Sequence, residues 1–392
     1  MPLRLWISTN RNILVMLTTV LVLGMGEELW TRFIPKYMEF LGATAWIIAL
    51  YGTLKDLLDA VYQYPGGWLA DKIGRKNSLL LFTFLSMIGY FIYFIADSWL
   101  WILIGTFFVM AWSSLTLPAL FAIIGDHLPQ NSRAMGFGVQ SIIKRIPIIV
   151  APAIGGWWIA RSGLTAGMKG GLIVAIALGL IALSIIRNFY SEKRPEQVET
   201  VRVMELWRRL NPRLKQLLVS DVLARWAEGI PKVFIVLYVM NVLSLNALQF
   251  GWLTSIQMLA SILFYLPLAR VADRFERKPL VFLTFLFFAF FPLAVVLSQS
   301  FIWLIPAFVV GGLREVGEPA RKALIVDLAD APVRARTVGL YYLLRGFSVF
   351  PASLIGGWLW TIDPRFPFYA AFVIGLVGAF YYLKTEPARA SL

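Results

Sequence analysis

Acidic and basic side chains stand inside stretches of this sequence that are otherwise apolar. GMGEELWTRF holds Glu27, Glu28 and Arg32, TLKDLLDAVYQ holds Lys55, Asp56 and Asp59, and Lys144 and Arg145 lie in SIIKRIPIIV. Further on, SDVLARWAEGIPKVF holds Asp221, Arg225, Glu228 and Lys232. GGLREVGEPARK holds Arg314, Glu315 and Glu318, and Arg345 stands in LLRGF. A charge at the centre of a bilayer costs about 2.5–3.5 kcal/mol on insertion scales, so each needs a counter-charge, a water-filled cavity or a job. The chemistry on offer is proton exchange and the binding of charged solutes. Bond-making chemistry needs a convergent catalytic set. The chain has no cysteine, one histidine (His127, read as a loop residue), no phosphate-binding glycine loop and no metal-ligand spacing. Disulfides, thiolate nucleophiles, metal sites and direct ATP drive are therefore not expected, and an enzyme or receptor is a weak alternative.

Spacing sorts these charges. Glu28 and Arg32, Lys55 and Asp59, Asp221 and Arg225, and Glu228 and Lys232 are i,i+4 on one helix face and read as structural or gating pairs. Arg314 has Glu318 in reach at the same spacing. Glu27, Asp56 and Glu315 have no base four residues on, and Lys144, Arg145 and Arg345 have no local acid. A carboxyl whose surroundings alternate between apolar and wet can take up and release a proton. Glu27 is the first candidate for proton coupling, with Glu28 or Glu228 second.

Such charges need elements long enough to carry them into a membrane. The 392-residue chain is 59% hydrophobic and 15% charged, with a mean hydropathy of +0.73. Soluble domains carry about a quarter charged residues, and about 20 apolar residues in a helix span a bilayer. Runs of that kind fall at roughly 12–37, 44–69, 78–96, 99–124, 135–160 and 168–187, then at roughly 215–241, 246–269, 279–298, 300–325, 337–360 and 366–384. An all-α polytopic membrane protein of twelve spans, six plus six, is predicted. Short alternating segments, the mark of a barrel, are not the pattern. The first run passes Arg4 and Arg11 without a small-residue cleavage site and is expected to be retained.

Orientation follows from Lys and Arg. With both termini in the cytoplasm, cytoplasmic segments hold 24 of the 36 Lys and Arg, and outer loops hold four: Lys36, Arg161, Lys169 and Arg365. The net charge of +14 is then a property of inner loops, and no nucleic-acid partner is expected. The domains read as 1–190, a linker 191–214 and 215–392. In the linker Val203, Leu206, Trp207 and Leu210 recur opposite Arg202, Arg208 and Arg209, the pattern of a basic amphipathic helix on the membrane surface.

The halves repeat one another. PGGWLADKIGRK and LPLARVADRFERK align Asp71 with Asp273, at an offset of 202. LPALFAIIGD matches EPARKALIVD, pairing Pro118 with Pro319 and Asp126 with Asp327. APAIGGWW matches PASLIGGWLW, pairing Gly155, Gly156 and Trp157 with Gly356, Gly357 and Trp358, and Glu27 pairs with Glu228. Duplicated six-helix halves imply a pseudo-two-fold axis along the membrane normal and a site near the midplane.

The sequence resembles a major facilitator superfamily transporter over essentially its whole length. The family's G-x-L-a-D-r-x-G-R-k signature stands here complete as Gly67, Trp68, Leu69, Ala70, Asp71, Lys72, Ile73, Gly74, Arg75 and Lys76. Its second copy, Ala269 to Lys278, lacks both glycines. The resemblance implies a conformational latch. Asp71 would sit against the start of the eleventh span in the outward-open state, where a carboxylate gains from the helix dipole. Arg75 would join it to Asp126, with Arg133 nearby. Asp273, Arg277, Asp327 and Arg334 or Arg336 would repeat the arrangement.

The resemblance also places spans 1, 4, 7 and 10 around a central cavity, with 2, 5, 8 and 11 at its sides. Glu27, Glu228, Arg314, Glu315 and Glu318 are then cavity charges, and Lys144 and Arg345 take nearly equivalent places. Arg32, Asp56, Asp59, Arg145, Trp30, Tyr62 and Trp112 complete the candidate substrate cavity, with Tyr341 and Tyr342 as further stacking aromatics. The family's antiporter signature in span 5 is present in diluted form as Gly138, Pro147, Ala151, Pro152, Gly155 and Gly156. Small residues there let helices approach closely, while Pro147 bends the helix. The arginine usual in span 4 of drug exporters is missing, and Arg314 on the symmetry-related span 10 is the candidate to stand in for it.

The expectation is a monomeric secondary transporter of the cell (inner) membrane, working by alternating access and coupled to protons, without a cofactor. Export of a small amphiphilic or drug-like molecule is the first reading. Uptake or exchange of an organic anion, held by Lys144, Arg145, Arg314 and Arg345, is the second.

Overall fold

A computed structural model of the protein describes residues 11–116, 120, 123, 130–191, 211–274, 277–328 and 334–384. The linker helix expected near 203–210, Asp126 and His127 lie outside the described residues, as do the side chains of Asp71, Arg133, Asp273, Arg277, Arg334 and Arg336.

The helices follow the twelve apolar runs. In the first half they are α1 (Arg11–Glu28, resumed through Thr31–Phe33 to Ile34–Phe40), α2 (Ala45–Ile73), α3 (Arg75–Ile95), α4 (Trp99–Leu115), α5 (Gln130–Ser162) and α6 (Leu164–Phe189). In the second they are α7 (Pro212–Gly229, resumed from Ile235 to Val242), α8 (Ala247–Arg274) and α9 (Arg277–Leu297). α10 (Phe301–Leu313, resumed at Glu318–Asp327), α11 (Arg334–Val349, resumed at Ala352–Ile362) and α12 (Phe366–Leu383) complete the set. Eight are long and apolar enough by themselves to cross a membrane, and α4 and α10 are apolar but shorter. α2 and α7 miss that standard because they carry the charges of TLKDLLDAVYQ and SDVLARWAEG.

The chain forms two compact units. The first gathers Met1–Thr44, Leu54–Val198 and Asn246–Ser255, the second Ala45–Thr53, Glu199–Leu245 and Ile256–Leu392. The start of α2 thus groups with the second unit and the start of α8 with the first, where the sequence suggests a single cut at the linker.

Within each unit the packing repeats. α1 and α3 lie on α6, and α7 and α9 lie on α12. A Cβ on Gly155 of α5 would overlap the Leu29 carbonyl of α1, and one on Gly356 of α11 would overlap the Ile230 carbonyl that follows α7. Gly155 and Gly356 are 201 residues apart, as are Leu29 and Ile230, so one close backbone contact is written twice. The irregular segments repeat as well. α4 widens into a π-helix over Ala111–Leu115, and α10 breaks into a turn at 314–317. In each, a hydroxyl of the preceding helix accepts a backbone N–H: Ser86 from Trp112 at 2.7 Å, and Thr284 from Gly317 at 2.6 Å. Without water, a freed backbone donor must find a partner inside the protein. Asn12 pins the start of α1 to the end of α6, donating to the Ser191 carbonyl (2.7 Å) and accepting from its N–H (3.0 Å).

Candidate functional site

In the first unit α1 brings Glu27, Glu28, Trp30 and Arg32 within two turns. Glu28 pairs with Arg32 at 3.0 Å, as the i,i+4 spacing predicts. Glu27 is half-buried. It makes neither an ion pair nor a side-chain hydrogen bond among the described residues. Glu28 and Arg32 on α1, Lys55 on α2 and Lys144 on α5 act on it electrostatically, and Glu27 in turn acts on Tyr90 of α3. Trp30 and Tyr90 are each 1% exposed and meet edge to face at 5.4 Å. Neither Trp30 Nε1–H nor the Tyr90 hydroxyl has a hydrogen-bond partner among the described residues. Buried polar groups are rarely left so. Tyr93, also edge-on to Trp30, is bonded to Thr106 at 2.8 Å.

The other first-unit candidates are more securely held. Asp59 accepts from the Ser114 hydroxyl of the π-segment at 2.7 Å, in place of the expected pairing with Lys55. Lys55, Asp56 and Arg145 have partners of their own. Lys144 is exposed and makes no ion pair among the described residues. Tyr62 donates to the Phe107 carbonyl at 3.2 Å, and Trp112 is buried in the apolar core with Ile13, Val20 and Leu79. In α5, Pro147 packs on Gly24 of α1, while Gly156 faces the Ala247 carbonyl and Gly251 faces the Pro152 carbonyl. The surroundings of Gly138 lie outside the described residues.

The second unit ties its charges into one network. Asp221 of α7 accepts from Arg321 of α10, from the Tyr341 hydroxyl of α11 at 2.9 Å and from Arg345 at 3.5 Å. Glu318 is bonded to Arg321 (2.6 Å) and lies 3.6 Å from Arg225 and 3.7 Å from Lys322. Glu228 takes Arg225 at 2.9 Å and Arg314 at 3.4 Å. Two expectations change here. Glu228 is held by arginines where the spacing suggests Lys232. Arg314 reaches Glu228 where the spacing suggests Glu318, and its guanidinium lies over Phe288 and Phe291. Glu315 has a partner, and Arg345 also lies 4.6 Å from the Tyr342 ring.

Arg321 is the residue the sequence reading missed. The Lys and Arg count assigns it to the loop between spans 10 and 11, yet it is 1% exposed, between two carboxylates. The signal was present. Glu318 and Arg321 are i,i+3, and EPARKALIVD aligned with LPALFAIIGD sets Arg321 against Leu120. The half whose fourth span lacks a charge has its counterpart in a fully buried arginine.

Of the expected latch, the turn itself is described. Gly74 separates α2 from α3 at φ +91°, and its carbonyl accepts from the Ser78 N–H and hydroxyl. Gly67 and Lys76 are half-buried on either side, Lys72 lies over Trp68 at 4.8 Å, and Arg75 and Asp327 have partners.

Two units with the same helix packing, an internal duplication and the complete charged-turn signature agree with the match to known families. The sequence model of the Major Facilitator Superfamily matches residues 15–241 and 217–392. The chain belongs to the major facilitator superfamily. As a member it is a multi-pass membrane transporter and not an enzyme. An uncharacterized MFS-type transporter of Methanocaldococcus jannaschii is 20% identical over 383 residues, covering 95% of this chain and 94% of that one. The quinolone resistance protein NorA of Staphylococcus aureus is 24% identical over 148 residues, 38% of each chain. Among solved structures, the nucleoside transporter NupG superposes with a TM-score of 0.80 at 14% identity, over 95% of this chain and 99% of that one. At that identity the likeness concerns the fold.

Proposed function

We propose that this superfamily member is a secondary active transporter that works by alternating access and exports a small amphiphilic or drug-like organic molecule in exchange for protons. The observation that carries the reading is Glu27. Proton exchange needs a membrane carboxyl free to bind and release a proton, and Glu27 makes no ion pair among the described residues, where Glu228 and Glu318 are each held by arginines. The unpaired Trp30 Nε1–H and Tyr90 hydroxyl beside α1 offer that carboxylate donors once it ionises. The partial similarity to a quinolone resistance protein supports an exported drug-like solute. Asp71 and its turn supply the latch that must break as the access changes.

A second reading, uptake or exchange of an organic anion, draws on Lys144, an exposed cation without an ion pair among the described residues. The test is transport in proteoliposomes under an imposed pH gradient, with a quinolone, a lipophilic cation and an organic anion as labelled solutes. Gradient-driven movement of the quinolone or cation, recovered chemically unchanged, supports proton-coupled export. Movement of the anion alone replaces the first reading with the second. Movement that ignores the gradient removes proton coupling.

A further inference from the structure

A groove of about 750 Å³ opens on the flank of the first unit between α3 and α6. Leu80, Leu81 and Phe84 of α3 and Leu183 of α6 form its walls, with Ser184 and Arg187 toward one end. That end carries the charged turn, because α3 begins at Arg75 and α6 finishes at Phe189. Arg187 is exposed and makes no ion pair among the described residues. Asn188 donates to Ser184 Oγ at 3.2 Å, which leaves the serine hydroxyl hydrogen for another acceptor. Arg11 donates to the Asn188 carbonyl at 3.3 Å and lies 5.5 Å from the Phe189 ring, so a second cation is fixed beside the mouth.

The second unit differs at one of these positions. α3 and α9 begin 202 residues apart, at Arg75 and Arg277, which makes Phe282 the counterpart of Leu80. Phe282 packs on Phe380 of α12 with ring centres 6.2 Å apart. At this position α9 therefore carries an aromatic ring in contact with α12, where α3 has the leucine that walls the groove.

Apolar walls ending in an unpaired guanidinium at a helix terminus complement an amphiphile of opposite charge. Basic pockets between membrane helices take acidic lipid headgroups in this way, and a guanidinium can hold a phosphate by paired charge-assisted hydrogen bonds. We propose that this groove binds one acidic phospholipid, its phosphate on Arg187 and Ser184 and an acyl chain along Leu80, Phe84 and Leu183. The headgroup then lies at the membrane face that the charge bias assigns to the cytoplasm, where acidic lipids draw basic residues.

Native mass spectrometry of the full chain, delipidated in detergent and titrated with phosphatidylglycerol or phosphatidylcholine, tests this. The parent should retain one phosphatidylglycerol under conditions that strip phosphatidylcholine. Arg187→Gln should weaken that retention about fivefold. Ser184→Phe, which puts a ring into the groove, should abolish it with Arg187 intact. Lys384→Gln, removing an exposed cation beyond α12, should leave it unchanged. Melting without lipid checks that each variant is folded, and if one groove variant fails to fold the other decides. Equal retention of both lipids, or retention unaffected by the groove substitutions, overturns the proposal. An equal loss in Lys384→Gln also overturns it, since diffuse surface charge would then account for the binding.

Discussion

Tyr341 on α11 donates its hydroxyl hydrogen to Asp221 on α7 at 2.9 Å, and Arg321 on α10 donates to the same carboxylate oxygen. Three helices of the second unit therefore meet on one buried acid. Removing one member of a buried ion pair costs about 3–5 kcal/mol, because the remaining charge stays buried without compensation. Arg321→Met should accordingly lower the melting temperature of the purified protein by several degrees. Arg321→Met combined with Asp221→Leu should recover part of the loss, since the stranded charge is gone. A single variant that melts with the parent would mean that the network does not hold these helices.

Glu27 differs from Glu228 although the two align in the duplicated halves. Glu228 lies 2.9 Å from Arg225 and 3.4 Å from Arg314, whereas Glu27 has no ion pair among the described residues. Glu27→Gln should leave the fold intact and remove the response of transport to an imposed pH gradient, because glutamine cannot exchange a proton. Glu228→Gln should instead lower the melting temperature, because it removes the carboxylate charge that lies between Arg225 and Arg314. Measuring both quantities for both variants separates the roles. An unchanged pH response in Glu27→Gln would place proton exchange elsewhere or remove it.

The sequence was most legible where one local rule decides. Apolar runs of membrane length marked the helices, and the paired glycines, prolines and charged turns marked the duplication. The Glu28–Arg32 pair followed from helical spacing alone. What the sequence did not disclose depends on contacts between helices. Asp221, Arg321, Tyr341 and Arg345 come from α7, α10 and α11, and no spacing within one helix announces their meeting. Arg321 was also misplaced by the rule that lysine and arginine gather outside the membrane, which fails when carboxylates compensate the charge inside the protein. Asp59 shows the reverse case, where the base four residues before it, Lys55, is passed over for a hydroxyl that the π-segment of α4 presents.

Gly155 and Gly356 make the same close approach to a neighbouring backbone, each with no room for a Cβ before a carbonyl oxygen. Gly155→Ala and Gly356→Ala should each force α5 from α1 or α11 from the end of α7. Overpacking of this kind costs about 1–3 kcal/mol. Both variants should therefore melt below the parent. Gly339→Ala in α11, where a Cβ meets nothing within 4 Å, should not. If all three melt alike, the glycine pairs are not packing sites.

The charged turn separates a backbone requirement from a side-chain one. Gly74 stands at φ +91°, ψ 158°, a region nearly closed to other residues at a cost of about 1–3 kcal/mol. Gly74→Ala should lower the melting temperature by straining the α2–α3 turn. Asp71→Asn leaves that backbone free and removes only a charge, so its melting temperature should stay near that of the parent. If Asp71 latches the protein through its carboxylate, Asp71→Asn should still slow transport severely, because the amide is neutral and draws less from a helix dipole. Two measurements on two variants then give opposite patterns: lost stability for the glycine, and lost turnover with retained stability for the aspartate. Normal turnover in Asp71→Asn would leave the turn with an orienting role alone. Normal melting in Gly74→Ala would show that the turn can relax out of its positive-φ conformation.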